Sequence, residues 1–216
     1  MKFIDYNSLE KAIINDTFKT IPYMDMWICS IVEGYIYGEV YKLYYEGCRE
    51  EYTERYGKKE GEFKRWHLGA DGQSNKKLMC QRYYKEGKRE GEDKEWYYNG
   101  QLWIQSYYKE GKLDGESKQW YHNGQLYRQC YYKEGKKEGE AKEWRNNGKL
   151  WSQEYFKEGK LEGEYKQWYH NGQLRYQLYY KDGKKEGENK SWDKYGNLTE
   201  HKIYTGDEVI KDLLNP

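Results

Sequence analysis

The side chains in this sequence that could do chemistry are repeated too regularly to do it at one place. Glu92 and Lys94 form an acid–base pair, and Glu116 with Lys118 repeats it; equivalent pairs recur in every unit at a 24-residue interval. General acid–base catalysis depends on one environment that perturbs one group. A pair repeated down the chain reads instead as a ladder whose members satisfy one another and nearby tyrosine hydroxyls. His122 and His170 occupy equivalent positions two units apart, about 20 Å along a sheet, so they cannot share a metal ion. His67 and His201 have no recognisable ligand partners. Nucleotide loops, nucleophile triads and zinc-type spacings are missing from the sequence. The reading is a protein that is not an enzyme, with no catalytic, cofactor or metal-ligating residue.

A second set of residues suits binding. Trp96, Trp120, Trp144, Trp168 and Trp192 form one column, and Tyr107, Tyr131, Tyr155 and Tyr179 another. Rows of aromatic rings can cage cations or stack against flat ligands. They can equally be the packed core. Together with Glu92, Lys94 and Gln105 they form the candidate partner-binding or core face, with both readings open.

These side chains need elements to hold them. The phrase Tyr-Tyr-Lys-Glu-Gly-Lys-x-Glu-Gly-Glu-x-Lys-x-Trp begins at Tyr83 and Tyr131, and with one change each at Tyr107, Tyr155 and Tyr179. A fixed period of this length marks units that each need neighbours to bury a face. Every unit contains two turn signals. Asn99-Gly100, Asn123-Gly124, Asn147-Gly148 and Asn171-Gly172 predict two-residue type I′ hairpins. Glu-Gly pairs at Glu86, Glu110, Glu134 and Glu158, with Asp182-Gly183 in the last unit, predict the second turn. Two short antiparallel strands per unit follow.

With an Asn99-Gly100 loop, Trp96 opposes Trp103, Lys94 opposes Gln105 and Glu92 opposes Tyr107. With a Glu110-Gly111 loop, Gln105 opposes Glu116 and Tyr107 opposes Asp114. Directly opposed side chains share a face, so Glu92, Lys94, Trp96, Gln105 and Tyr107 lie together. The other face carries columns that drift between units, such as Asp93, Ser117, Ala141, Tyr165 and Asn189, and is expected to meet solvent or make loose contacts. Five units would advance the sheet by roughly 50 Å.

Bulk composition agrees. The 216 residues carry a net charge of +1, with 27 Tyr and 9 Trp to supply most of the buried surface. The charges interleave in sign, without the one-signed basic stripe that nucleic acid requires. Cys29, Cys48, Cys80 and Cys130 show no paired spacing and read as free thiols of a reducing compartment. No apolar run has the length of a membrane-spanning helix. An intracellular protein, soluble or peripheral, is expected.

The run Gly87-x-x-x-Gly91-Glu92, followed by Trp96-Tyr97-x-Asn99-Gly100-x-Leu102, resembles the MORN repeat, specifically its variant class. The common pattern has a further glycine where this chain has Asp93, Ser117, Ala141, Tyr165 or Asn189, and that departure fits the variant. The resemblance implies an all-β, elongated, single-layer antiparallel sheet of tandem hairpin repeats. It also implies a scaffold for protein–protein interaction. The alternatives it carries are a membrane-surface or phosphoinositide adaptor that binds anionic lipid, an antitoxin-like binding protein, and a structural component of a large virus particle.

The predicted organisation is an N-terminal, partly helical cap over 1–33, degenerate repeats over 34–82, five regular repeats over 83–202, and a C-terminal strand and helical cap over 203–216. Pro22 followed by Met24, Trp27, Ile28 and Ile31 at helical spacing, and Ser8–Asp16, suggest the first cap. Val209, Ile210, Leu213 and Leu214 suggest the second. Both would cover open sheet edges.

Overall fold

A computed structural model of the protein describes residues 29–35, 38–45, 48–67 and 77–215, with backbone alone for those between 29 and 45. The helices expected between Ser8 and Ile31 fall mostly or wholly outside these residues, apart from Cys29–Tyr35, which is a strand. Everything described is strand and turn, from Cys29–Tyr35 to Glu208–Asp212, in twenty strand segments. All pairings are antiparallel, and the two-residue segments such as Lys88–Arg89 pair with the same strand as the segment that follows them, so the described chain is one long meander. Among the described residues, substantial contacts are all between strands adjacent in the sheet, and no second layer of described elements packs on either side.

Of the two turns in each repeat, the Glu-Gly turn is the two-residue loop expected and the Asn-Gly turn is not. Glu110 (φ +50°) and Gly111 (φ +83°) both take left-handed conformations, and Lys109 pairs with Lys112 across them. That is a type I′ hairpin built on Glu-Gly. At Asn99-Gly100 the loop is three residues long. Gly100 N donates to Tyr97 O and Tyr97 N to Gln101 O, each at 2.8 Å. Gly100 alone in this loop has a positive φ, which makes the turn type I followed by a left-handed glycine. The fifth unit confirms that Asn is not needed in the left-handed region: Lys194-Tyr195-Gly196 forms the same loop, closed by Asp193 N to Asn197 O at 2.9 Å.

The register is corrected accordingly. Trp96 faces Leu102, and the next pair is Glu95 with Ile104, so Trp103 bulges out of the ladder. The longer loop and the bulge offset each other. Lys94 opposite Gln105 and Glu92 opposite Tyr107 are therefore as expected. After the Glu-Gly turn the ladder shifts by two residues: Gln105 pairs with Lys118, not Glu116, and Tyr107 faces the bulged stretch 114–116. An even shift keeps every side chain on its face. Gly115 sits in this bulge at φ +120°, and a Cβ there would lie 3.0 Å from Tyr107 Cβ. At Gly115 both dihedral and space demand glycine, whereas Gly91, Gly139 and Gly187 in the equivalent positions are held to glycine by their positive φ alone.

The core is on the opposite face from the one the repeats suggest. Cys80, Cys130, Ala141, Asp93, Ser106, Ser117 and Asn189 are buried, and these are the drifting columns. Small side chains lie beneath larger ones of the same face, among them Phe63 between Tyr52 and Tyr84, with ring centroids 5.9 and 6.0 Å apart, and Tyr165 against Tyr180 at 6.3 Å. Variation between units reflects how each is filled, since what one unit buries as Ala141 another buries as Asn189 with its own hydrogen bond to Tyr179 N at 2.6 Å.

The C-terminal helix is also corrected. Gly206 and Asp207 form the next positive-φ turn, and Glu208–Asp212 returns as a strand against Leu198–Thr205. Val209 and Ile210 are 50% and 63% exposed on it. The segment follows the turn rhythm of the repeats, which overrides a short helical spacing.

Candidate functional site

On the recurring face every unit builds the same polar cluster. Glu92 accepts hydrogen bonds at one oxygen from Gln105 Nε2 (2.5 Å) and Tyr107 OH (3.2 Å), and its other oxygen meets Lys94 Nζ at 2.7 Å. Glu116 does the same with Gln129, Tyr131 and Lys118. Glu140 and Glu164 follow with Gln153, Tyr155 and Lys142, and with Gln177, Tyr179 and Lys166. The degenerate unit matches it through Glu62, Gln81, Tyr83 and Lys64. At the far end His201 replaces Gln and meets Glu188 at 2.6 Å.

The lysine hydrogen bonds hold the Glu116 and Glu140 carboxyls below the usual range, against a smaller upward push from burial. For Glu92 and Glu164 burial is the largest single influence and pushes upward, but the combined hydrogen bonds from lysine, glutamine and tyrosine outweigh it. The carboxylates are thus kept ionised and occupied. Identical, satisfied groups of this kind suit a rigid surface.

The tyrosine rings above these clusters stay open. Tyr83, Tyr107, Tyr131, Tyr155 and Tyr179 are 37–43% exposed. The tryptophans Trp96, Trp120, Trp144, Trp168 and Trp192 are half-buried on the same face. Sequence reasoning placed these residues together correctly, with Glu92, Lys94 and Gln105, but the fully buried positions lie behind them. Shallow hollows lie beside two of these tyrosines, one of 610 Å³ at Tyr155 and one of 510 Å³ at Tyr179.

The buried face carries its own charges. Arg82 reaches Asp93 at 3.3 Å and Glu95 at 2.5 Å, and Arg89 reaches Asp93 at 3.0 Å. Burial pushes the Asp93 carboxyl upward while the two guanidinium groups pull it back. Burial also lifts the Tyr165 hydroxyl to about 12, with Glu154 nearby adding to it. Cys48, Cys80 and Cys130 are free thiols. His122 stacks on Tyr97 at 3.8 Å between centroids, and His170 meets Arg145 at 3.0 Å. Among the described residues no group of acidic, His or Cys side chains is arranged to hold a metal ion.

Two devices that join one unit to the next escaped the sequence reading. Tyr97 OH donates to Trp120 O at 2.7 Å, Tyr121 OH to Trp144 O at 2.9 Å, and Tyr169 OH to Trp192 O at 2.9 Å; Arg145 substitutes in the remaining unit by donating to Trp168 O. Beside them Asn99, Asn123 and Asn171 reach the carbonyls of His122, Asn146 and Lys194. At the other edge each Glu-Gly turn docks on the preceding unit. Glu110 N donates to the Glu90 carboxylate at 2.8 Å and Gly111 N to Arg89 O at 2.9 Å. The signal was present in the 24-residue recurrence of Tyr97, Asn99 and Glu90, but nothing local distinguishes a staple from a surface residue.

This edge also sets lysines directly opposite each other: Lys85 with Lys88, Lys109 with Lys112, Lys133 with Lys136, Lys157 with Lys160 and Lys181 with Lys184. The MORN repeat variant pattern matches residues 89–110, 113–134, 137–158 and 161–182. These are four tandem variant MORN repeats. Each MORN unit in that framing opens just after a lysine-flanked turn and closes on the next. The cluster geometry extends beyond the matched MORN units to Glu62 at one end and Glu188 at the other. No protein with a curated description matches the chain. Among the described residues no helix is long and apolar enough to cross a membrane.

Proposed function

We propose that the protein is a non-enzymatic repeat scaffold that binds a partner protein along the face carrying Tyr83, Tyr107, Tyr131, Tyr155 and Tyr179. The observation that carries this reading is the row of five tyrosine rings left 37–43% exposed, each held by its hydroxyl to a glutamate. Rigid aromatic rings on an otherwise polar surface suit an interface, because they bury large area at small conformational cost. The free thiols fit an intracellular setting. Affinity capture from the native source at high salt, comparing wild type with Tyr131→Ser/Tyr155→Ser, tests it. One stoichiometric protein retained by wild type and lost by the variant supports the scaffold. Equal retention by both rules out this face. Rescue of growth against a toxic partner would narrow the role to an antitoxin, and recovery with particle proteins would narrow it to a virion component.

A second reading is favoured by the opposed lysine pairs. Like charges facing across a hairpin are unfavourable, and an anionic surface would relieve them. Phosphatidylserine vesicles should then pull the protein down in a salt-sensitive way, and Lys133→Gln/Lys136→Gln should weaken the effect. No pull-down at low salt removes this reading.

A further inference from the structure

The tyrosine row has a period, and the period selects the shape of what can lie on it. Successive tyrosines are two strands apart, about 9–10 Å. An extended β-strand returns a side chain to one face every 6.6–6.8 Å or so and falls out of step at the first interval. An α-helix is stiff, and the row turns with the sheet by about 20–25° per strand, so a straight rod leaves it. A polyproline-II segment presents the same face every three residues, about 9.3 Å. Its backbone has no internal hydrogen bonds and can follow the twist.

Charge selects the residue type. The hollow beside Tyr155 is lined by Glu138, Glu162 and Glu164 against Lys157; the one beside Tyr179 by Glu162, Glu186 and Glu188 against Lys181. Lys166 neutralises Glu164 at 2.6 Å and Lys190 meets Glu188 at 3.1 Å. Glu138, Glu162 and Glu186 are bonded to uncharged backbone N–H groups, those of Glu158, Asp182 and Gly206, and keep their negative charge facing the hollows. The floors are open as well, since a Cβ built on Gly139 or Gly187 meets nothing within 4 Å.

We infer, resting on the scaffold reading above, that the tyrosine row receives a polyproline-II segment of the partner, crossing the strands with a lysine or arginine at every third residue. The prolines pack on the rings, as in other aromatic-lined polyproline sites, and the basic side chains enter the hollows.

The test is fluorescence anisotropy with a labelled peptide of Pro-Pro-Arg triplets and an isomer of identical composition in which the arginines are spaced alternately by one and three prolines, so that the three-residue period is lost. The triplet peptide should bind at least roughly tenfold more tightly, and Tyr131→Ala/Tyr155→Ala should remove about that factor. Tyr131→Phe/Tyr155→Phe, which keeps the rings, should retain binding. Glu138→Gln/Glu162→Gln keeps the acceptor oxygens and should weaken binding while flattening its salt dependence. Equal affinity for the two peptides, or Ala and Phe variants that behave alike, overturns the inference. Capture of a partner that the triplet peptide does not displace overturns it too and leaves the scaffold reading standing. Capture of no protein, with tight triplet binding intact, overturns the scaffold reading instead.

Discussion

The hydroxyl of Tyr121 donates to the backbone carbonyl of Trp144, 2.9 Å away and one repeat further along the chain. The bond ties a loop of one unit to the strand end of the next, so it belongs to the interface between units. In a stack whose stability sums unit and interface terms, such bonds set cooperativity.

Tyr121→Phe should therefore cost about 1 kcal/mol, the net value of a hydrogen bond whose acceptor is left behind. In the next unit the donor is Arg145, at 2.8 Å from Trp168 O. Arg145→Phe should cost a similar amount and Arg145→Tyr should recover it. Urea unfolding followed by tryptophan fluorescence reads both. A Phe variant as stable as wild type would show the staple to be dispensable.

Glu134 occupies a left-handed conformation, at φ +50°, that disfavours a side chain with Cβ by about 1 kcal/mol. Asn tolerates that region better. Glu134→Asn is expected to raise stability by roughly 0.5–1 kcal/mol, while keeping the Glu134 N–H bond to Asp114 at 3.0 Å. A thermal melt that moves downward would contradict the turn assignment.

The ladder carboxylates predict an acid limb. Hydrogen bonds from Lys118 and Lys142 hold Glu116 and Glu140 below their ordinary values in the folded chain. A lowered folded value contributes stability above the unfolded value, about 4.3, and that contribution is lost as pH falls through the folded value. Urea midpoints should hold from pH 7 to about 5 and drop below about 4.5, and Glu116→Gln/Glu140→Gln should make the drop shallower. An identical pH profile for the variant would refute the assignment.

Ser106 and Ser117 share one hydrogen bond, 2.8 Å long, on the buried face. Removing one hydroxyl strands the other, at a cost of about 1–3 kcal/mol, whereas removing both is nearly neutral. Ser117→Ala should thus be less stable than the Ser106→Ala/Ser117→Ala double variant. The reverse order, in chemical denaturation, would place these serines in water.

Alternation along each strand and the two turn pairs made much of the fold legible. Lys94 opposite Gln105 and Glu92 opposite Tyr107 follow from parity alone. The turn types did not: the Asn-Gly pair sits in a three-residue loop in which only Gly100 is left-handed, and the Glu-Gly pair takes the two left-handed positions of a type I′ turn. The candidate face was assembled correctly from Glu92, Lys94, Trp96, Gln105 and Tyr107. Whether it is core or binding surface stayed open, and the drifting face was expected to meet solvent because variation between units was read as exposure.

The sequence by itself determined the period, the meander and which side chains share a face, since these depend on local turn chemistry and the two-residue alternation of a strand. Only the tertiary structure decided which face is buried. Ala141, Cys130 and Ser117 are small enough to lie beneath the rings and arginines beside them, whereas the larger recurring side chains satisfy one another at the surface. Burial depends on the volume a neighbour leaves, and that volume exists only once the units are stacked.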